Sequence, residues 1–200
     1  MINDVNPREP RKRLLFSALI FATGLMLAAC QDQSWQEIRI PQGGFSIQVR
    51  GDPRVQKSGP PMPGEVYMME NPDWSFGVGY AELPENIARG IEPRRLFTIV
   101  RMPWLQRIEG RLQGDGTDIK LDDKYPGMEI VATGKYDGKD AYLRGRFYLV
   151  DNRLYQLVVF GTKAKMAVSD VNRFFGSFKL IPLQETQSMT IEPEKGRGKK

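Results

Sequence analysis

The sequence predicts an α+β fold, on three observations: segments that alternate apolar and polar residues, a series of three such segments joined by tight turns, and two segments with helical spacing on either side of that series. Strands that follow one another through two-residue turns pair antiparallel, so the sheet is expected to be mostly antiparallel.

Taken in order, Trp35 to Ile40 suits either an opening strand or a linker. In Gly43 to Pro53 the residues Phe45, Ile47 and Val49 alternate with polar ones and stop at Gly51-Asp52-Pro53, which predicts a half-buried strand. Lys57 to Gly64 carries Pro60, Pro61 and Pro63 and is expected to be an extended connection. Strands follow at Glu65 to Glu70 and Ser75 to Glu82, with Asn71-Pro72-Asp73 as turn residues. Glu92-Pro93-Arg94-Arg95 opens a helix, because proline at the first helical position gives up an N–H that has no partner there. Leu96, Ile99 and Val100 share one face, and Pro103 predicts a kink or break near Met102, with Trp104, Leu105 and Ile108 still inward.

Beyond the turn Gly114-Asp115-Gly116, strands are expected at Met128 to Tyr136, Ala141 to Val150 and Arg153 to Gly161. Asp137 to Asp140 and Asp151-Asn152 join them into a meander. A last helix over Ala167 to Phe175 presents Val168, Val171, Phe174 and Phe175 and is expected to end at Gly176 as a C-cap. Ser177 to Ile181 reads as a short extended finish. Residues 184–200, nearly without apolar side chains and ending Lys195-Gly196-Arg197-Gly198-Lys199-Lys200, are expected to be a disordered basic tail.

This order of elements, with Gly44-Phe45-Ser46 and Asp52-Pro53 near the start, resembles the PsbP/Mog1-like group, whose members finish on a Phe-x-x-Ser-Phe segment. Phe174 to Phe178 supplies that spacing. The resemblance covers residues 43–183 and implies a central, mostly antiparallel sheet flanked by helices. The group includes photosystem accessory proteins, a nuclear-transport cofactor and bacterial lipoproteins, so the fold alone implies little about activity.

The N-terminus carries an address. Arg8, Arg11, Lys12 and Arg13 precede the apolar run Leu14 to Leu27. That run is shorter than the about 20 residues that cross a bilayer and fits a secretory h-region. Leu27-Ala28-Ala29-Cys30 follows, and Cys30 is the only cysteine in the chain. The segment resembles a bacterial lipoprotein signal sequence with its lipobox. The resemblance implies cleavage after residue 29, diacylglycerol on the Cys30 thiol, an N-acyl chain on the new terminus, and residues 30–42 as lipidated cysteine and tether. Acyl chains contribute about 0.8 kcal/mol per buried CH2, so the mature protein is expected to be anchored to a membrane without spanning it. With Gln31 after the cysteine, the resemblance implies the periplasmic face of the outer membrane. The alternative is the periplasmic face of the inner membrane, and Asp32 is the residue that favours it.

Composition narrows the chemistry. Histidine is absent, which removes Ser-His-Asp arrangements and His-bearing zinc sites, and no cysteine is left for a disulfide once Cys30 is acylated. The net charge of +5 falls to about +3 without the signal, too little to point to nucleic acid. Asp115, Asp118, Asp122 and Asp123 cluster in sequence but lack EF-hand spacing, and no metal or cofactor is expected beyond the lipid on Cys30. The basic stretch Arg89, Arg94, Arg95, Arg101, Arg107 and Arg111 suits the solvated face of a helix or anionic headgroups.

The candidate binding face lies on the strand from Ala141 to Val150, where period two sets Tyr142, Arg144, Arg146 and Tyr148 on one side. Arginine grips carboxylate or phosphate bidentately and tyrosine offers flat contact area. The plain alternative is a strand face stitched by cross-strand ion pairs, with Glu129 or Lys135 as partners. The expected function is a lipid-anchored envelope lipoprotein, not an enzyme, that binds a protein partner or assembles a membrane-associated complex. The alternative is a ligand-binding module that takes an anionic glycan or lipid headgroup through the Tyr142/Arg144/Arg146/Tyr148 face.

Overall fold

The structure, a computed structural model, describes residues 34–70, 74–162 and 167–183. The lipobox Leu27 to Cys30 and the tail 184–200 lie outside the described residues.

In chain order the elements are β1 (Trp35–Ile40), β2 (Phe45–Arg50), β3 (Arg54–Ser58), β4 (Gly64–Glu70), β5 (Trp74–Glu82), α1 (Glu85–Gly90), α2 (Pro93–Val100), α3 (Met102–Arg107), β6 (Arg111–Leu112), β7 (Thr117–Leu121), β8 (Tyr125–Tyr136), β9 (Lys139–Val150), β10 (Arg153–Gly161), α4 (Val168–Gly176) and β11 (Lys179–Leu180). Eight strands form the large sheet in the order β3-β4-β5-β10-β9-β8-β6, with β7 also on β8, and β1-β2-β11 form a small one. Every pairing is antiparallel. The fold class is α+β, as the sequence predicts.

The central strand β10 has both faces covered, and its residues divide by parity. Tyr155, Leu157 and Val159 join the apolar layer beneath the small sheet and α4, while Leu154, Val158 and Phe160 join the layer beneath α2 and α3. The large sheet is therefore a middle layer with a core on each side. Phe45 anchors the first core and is fully buried among Tyr67, Tyr80, Tyr155 and Phe178, with ring centroids 5.6–6.3 Å away. Burying one such side chain contributes on the order of 2–3 kcal/mol. The second core is closed by Leu96, Phe97, Leu105 and Ile108 against Met128, Ile130 and Phe147.

The turns follow backbone chemistry. Asp122 and Asp123 both take positive φ (52° and 55°), and Lys124 N–H donates to the Leu121 carbonyl, as in the tight hairpin turn that matches strand twist. Asp137 (φ 50°) and Gly138 (φ 72°) do the same between β8 and β9. Glu92 caps α2 through its carboxylate, which accepts from the Arg94 and Arg95 amides, and Pro93 stands at the first helical position. The break expected near Met102 is present: α2 stops at Val100, and α3 restarts at Met102 with Pro103 in its first turn.

Three expectations are corrected, and one helix lies outside them. Trp35 to Ile40 is strand β1, paired along its whole length with β2, so the sheet begins inside the span 30–42 expected as tether. Lys57 to Gly64 is not wholly connection, since β3 runs to Ser58. As a fully exposed edge strand β3 needs no apolar alternation, which is why the pattern hides it. Helix α1 was not foreseen and buries no residue, so it shows no apolar stripe. Gly176 is the last residue of α4 rather than its cap, and Ser177 occupies the cap position in the right-handed region (φ −89°).

Candidate functional site

Strand β9 alternates as its sequence predicts. Ala141, Leu143, Phe147 and Leu149 enter the core under α2 and α3, and Tyr142, Arg144, Arg146 and Tyr148 point to the opposite face. That face is not one accessible stripe. Tyr148 is 5% exposed, stacks on Phe178 with the rings 11° from parallel, and lies across Gly127 of β8. Its accessibility, implied by a polar face, is corrected: burial raises the phenol above its ordinary value, and the Arg146 guanidinium opposes that rise only in part.

Arg144 and Arg146 converge on one carboxylate. Arg144 donates from Nε and Nη2 to Glu129 Oε1 at 3.1 and 3.0 Å, and from Nη2 to Oε2 at 3.1 Å, while Arg146 Nε donates to Oε2 at 2.6 Å. Arg144 Nη1 also reaches Asn172 Oδ1 on α4 at 3.1 Å. Both guanidinium groups sit on the Phe175 ring, at 5.3 and 4.9 Å from its centroid. The cross-strand partner is thus Glu129, while Lys135 pairs with Asp140. The cluster holds two cations against one anion, three-quarters buried, with Phe175 beneath. Tyr142, half-buried between Thr133 and Gly161, borders it.

The C-terminal Phe-x-x-Ser-Phe segment locks this region. Phe174 packs edge-on against Phe76, the Ser177 hydroxyl donates to the Phe174 carbonyl and accepts the Gln48 amide, and Phe178 lies among Phe45, Tyr148 and Tyr155.

A second polar cluster has no counterpart in the sequence pattern. Beneath the β1–β2 turn, Glu65 accepts from the Tyr67 hydroxyl at 2.5 Å, from Gln42 Nε2 at 3.3 Å and from Lys57 Nζ at 2.8 Å. Burial by itself raises the Glu65 carboxyl, and these three hydrogen bonds together outweigh it and hold the group below the usual carboxylate range. Tyr67 and Tyr80 are raised, first by burial and then by the Glu65 charge. Arg153 lies over the Tyr80 ring and pairs with Glu82, and its Nη1 is buried without a partner among the described residues. No periodicity announces such a cluster, because its members come from a turn and four strands.

The acidic residues do not converge. Asp118 pairs with Arg94 beside a groove of about 520 Å³ at the start of α2, Asp122 and Asp123 form the β7–β8 turn, and Asp115 lies at the turn before β7. Among the described residues no three carboxylates, cysteines or histidines stand close enough to hold a metal ion. Of the basic stretch, Arg89 pairs with Glu85, Arg94 with Asp118 and Arg107 with Glu70, and Arg101 donates to the Asp115 carbonyl. No helix among the described residues is long and apolar enough to cross a membrane.

No family model and no curated protein sequence matches the chain. Solved structures match it. The solution structure of CyanoP, the cyanobacterial PsbP of Synechocystis sp. PCC 6803, aligns with a TM-score of 0.54 at 10% identity, over 76% of this chain and 95% of that one. The fold is PsbP-like. The crystal structure of LpqN, involved in cell envelope biogenesis of Mycobacterium tuberculosis, aligns over 74% of this chain and 91% of that one at 11% identity, with a TM-score of 0.45. Within the PsbP-like domain, the buried aromatic core around Phe45 and Phe178 accounts for the two short motifs through which the sequence resembles the group.

Proposed function

We propose that the protein is a lipid-anchored envelope lipoprotein whose PsbP-like domain is a non-enzymatic module that binds a protein partner or helps assemble a membrane-associated complex. The observation that carries it is the coincidence at the N-terminus: a basic segment, an apolar run too short to span, and Leu27-Ala28-Ala29-Cys30, followed within five residues by the first strand of a folded domain. The absence of histidine from the chain supports a role without acid–base catalysis.

The test is the mass of the mature N-terminus. Protein extracted from the envelope should begin at Cys30 and carry a diacylglyceryl group and an N-acyl chain, and Cys30→Ala should carry neither. A mature protein with an unmodified Cys30 thiol, or one retaining residues 1–29, overturns the anchor. A photo-crosslinker at Tyr142, the accessible tyrosine of the β9 face, then identifies the partner.

A second reading rests on the charge imbalance at Glu129, where two guanidinium groups share one carboxylate. It makes the β9 face a site for an anionic glycan or headgroup. Arg144→Gln with Arg146→Gln should then abolish retention on such a ligand while the circular dichroism spectrum stays unchanged, and undiminished retention removes this reading.

A further inference from the structure

The outer face of the small sheet carries a polar depression of about 350 Å³ that neither reading above uses. Strand parity sets its floor. Phe45, Ile47 and Val49 of β2 enter the core, so Ser46 and Gln48 take the opposite face. The register places Arg39 of β1 and Lys179 of β11 directly opposite Ser46, one on each side, and Glu37 opposite Gln48. The C-terminal end of α4 closes the depression, with Arg173 and Ser177 in its wall.

Ser46 gives the first indication of a ligand. It is 3% exposed and lines the depression, and its hydroxyl makes no hydrogen bond to any described residue. Polar side chains buried to that extent are ordinarily paired.

Charge gives the second. Arg173 Nε donates to Gln48 Oε1 at 2.7 Å and its guanidinium lies 5.0 Å from the Trp35 ring centroid, and neither of these partners is an anion. Lys179 makes no hydrogen bond or ion pair with any described residue. Glu37, the one carboxylate in the wall, already pairs with Arg39 at 3.4 Å. Two cations of the wall are therefore unmatched among the described residues. The Arg173 and Phe174 carbonyls at the end of α4, which would oppose an anion, are occupied by the Ser177 N–H and hydroxyl.

This arrangement discriminates among anions. A carboxylate or a phosphodiester brings a single negative charge. A phosphate monoester brings about −1.5 to −2 at neutral pH, with three acceptor oxygens for a guanidinium, an ammonium and a hydroxyl. The volume stands at the lower end of the roughly 300–1,000 Å³ of small-molecule sites, which suits a phosphate with its ester group.

We propose that the depression between Ser46, Arg173 and Lys179 binds the terminal phosphate of a phosphomonoester. The Ser46 hydroxyl donates from the floor, and Lys179 and Arg173 supply the balancing charge from the wall. The same chemistry is offered by a soluble phosphorylated compound and by a lipid whose headgroup is a bare phosphate. The site depends neither on acylation of Cys30 nor on the β9 face.

The full-length protein in nonionic detergent, titrated with methyl phosphate and followed by its backbone amide chemical shifts, provides the test. The amides of Ser46, Ser177 and Lys179 should shift and saturate together. Lys179→Gln breaks no hydrogen bond or ion pair among the described residues and should weaken binding about tenfold or more. Arg54→Gln removes an equal charge from the exposed edge strand β3 and should leave binding unchanged. Dimethyl phosphate, a singly charged diester, should bind about tenfold more weakly than methyl phosphate. No saturable shift with methyl phosphate, equal weakening by the two variants, or equal binding of the diester overturns the site. Dihexanoyl phosphatidic acid then separates the two sources, with dihexanoyl phosphatidylcholine correcting for partition into the micelle. Tighter binding than methyl phosphate assigns the monoester to a lipid, and equal or weaker binding assigns it to a soluble compound.

Discussion

Glu65 shows what a single side chain contributes when three donors surround it. Lys57, Tyr67 and Gln42 hold its carboxyl below the ordinary carboxylate range against the opposing effect of burial. A carboxyl whose folded value is depressed adds stability that is present above its unfolded value, near 4.3, and is lost as pH falls through the folded value. Wild-type protein should therefore be more stable than Glu65→Gln at pH 7, and the gap in urea midpoint should close on acidification below about pH 4.3. A gap that stays constant down to pH 2 shows that the charged carboxylate is not what the three donors stabilise. Glu129 works differently. It neutralises one of two adjacent guanidinium groups, and Phe175 offers its ring face to both.

At the scale of elements, the β8–β9 pair shows both what the sequence makes legible and what it hides. Period two correctly divides β9 into a core face and an Arg/Tyr face, because alternation is a local property of extended chain. It does not reveal that α4, two elements later by way of β10, delivers Phe175 and Asn172 onto the Arg/Tyr face, or that Phe178 covers Tyr148. Contacts of that sequence separation leave no periodic trace. The prolines at 93 and 103 mark helix starts faithfully, whereas α1 and β3 bury too little to print a pattern. Gly127 is a further hidden requirement: a Cβ there would lie 2.4 Å from the Tyr148 ring and 2.7 Å from the Phe147 carbonyl. The carbonyl belongs to the paired strand and cannot step aside. Gly127→Ala should cost about 1–3 kcal/mol in chemical denaturation, and a loss below a few tenths of a kcal/mol means the strands separate more easily than this packing implies.

The whole molecule is organised around β10. Two meanders, β3-β4-β5 and β8-β9 with their edge strands, are each built from neighbours in sequence, and each can begin to pair through its own turns. They become one sheet only through β10, which hydrogen-bonds β5 along one side and β9 along the other and fills both cores. Synthesis from the N-terminus delivers that joining strand after both of its partners and before only α4 and β11. A nascent chain halted between Val150 and Arg153 therefore holds two half-sheets, each with an unpaired inner edge. Such a chain is still threadable through a narrow pore and still open to proteases until β10 has been made.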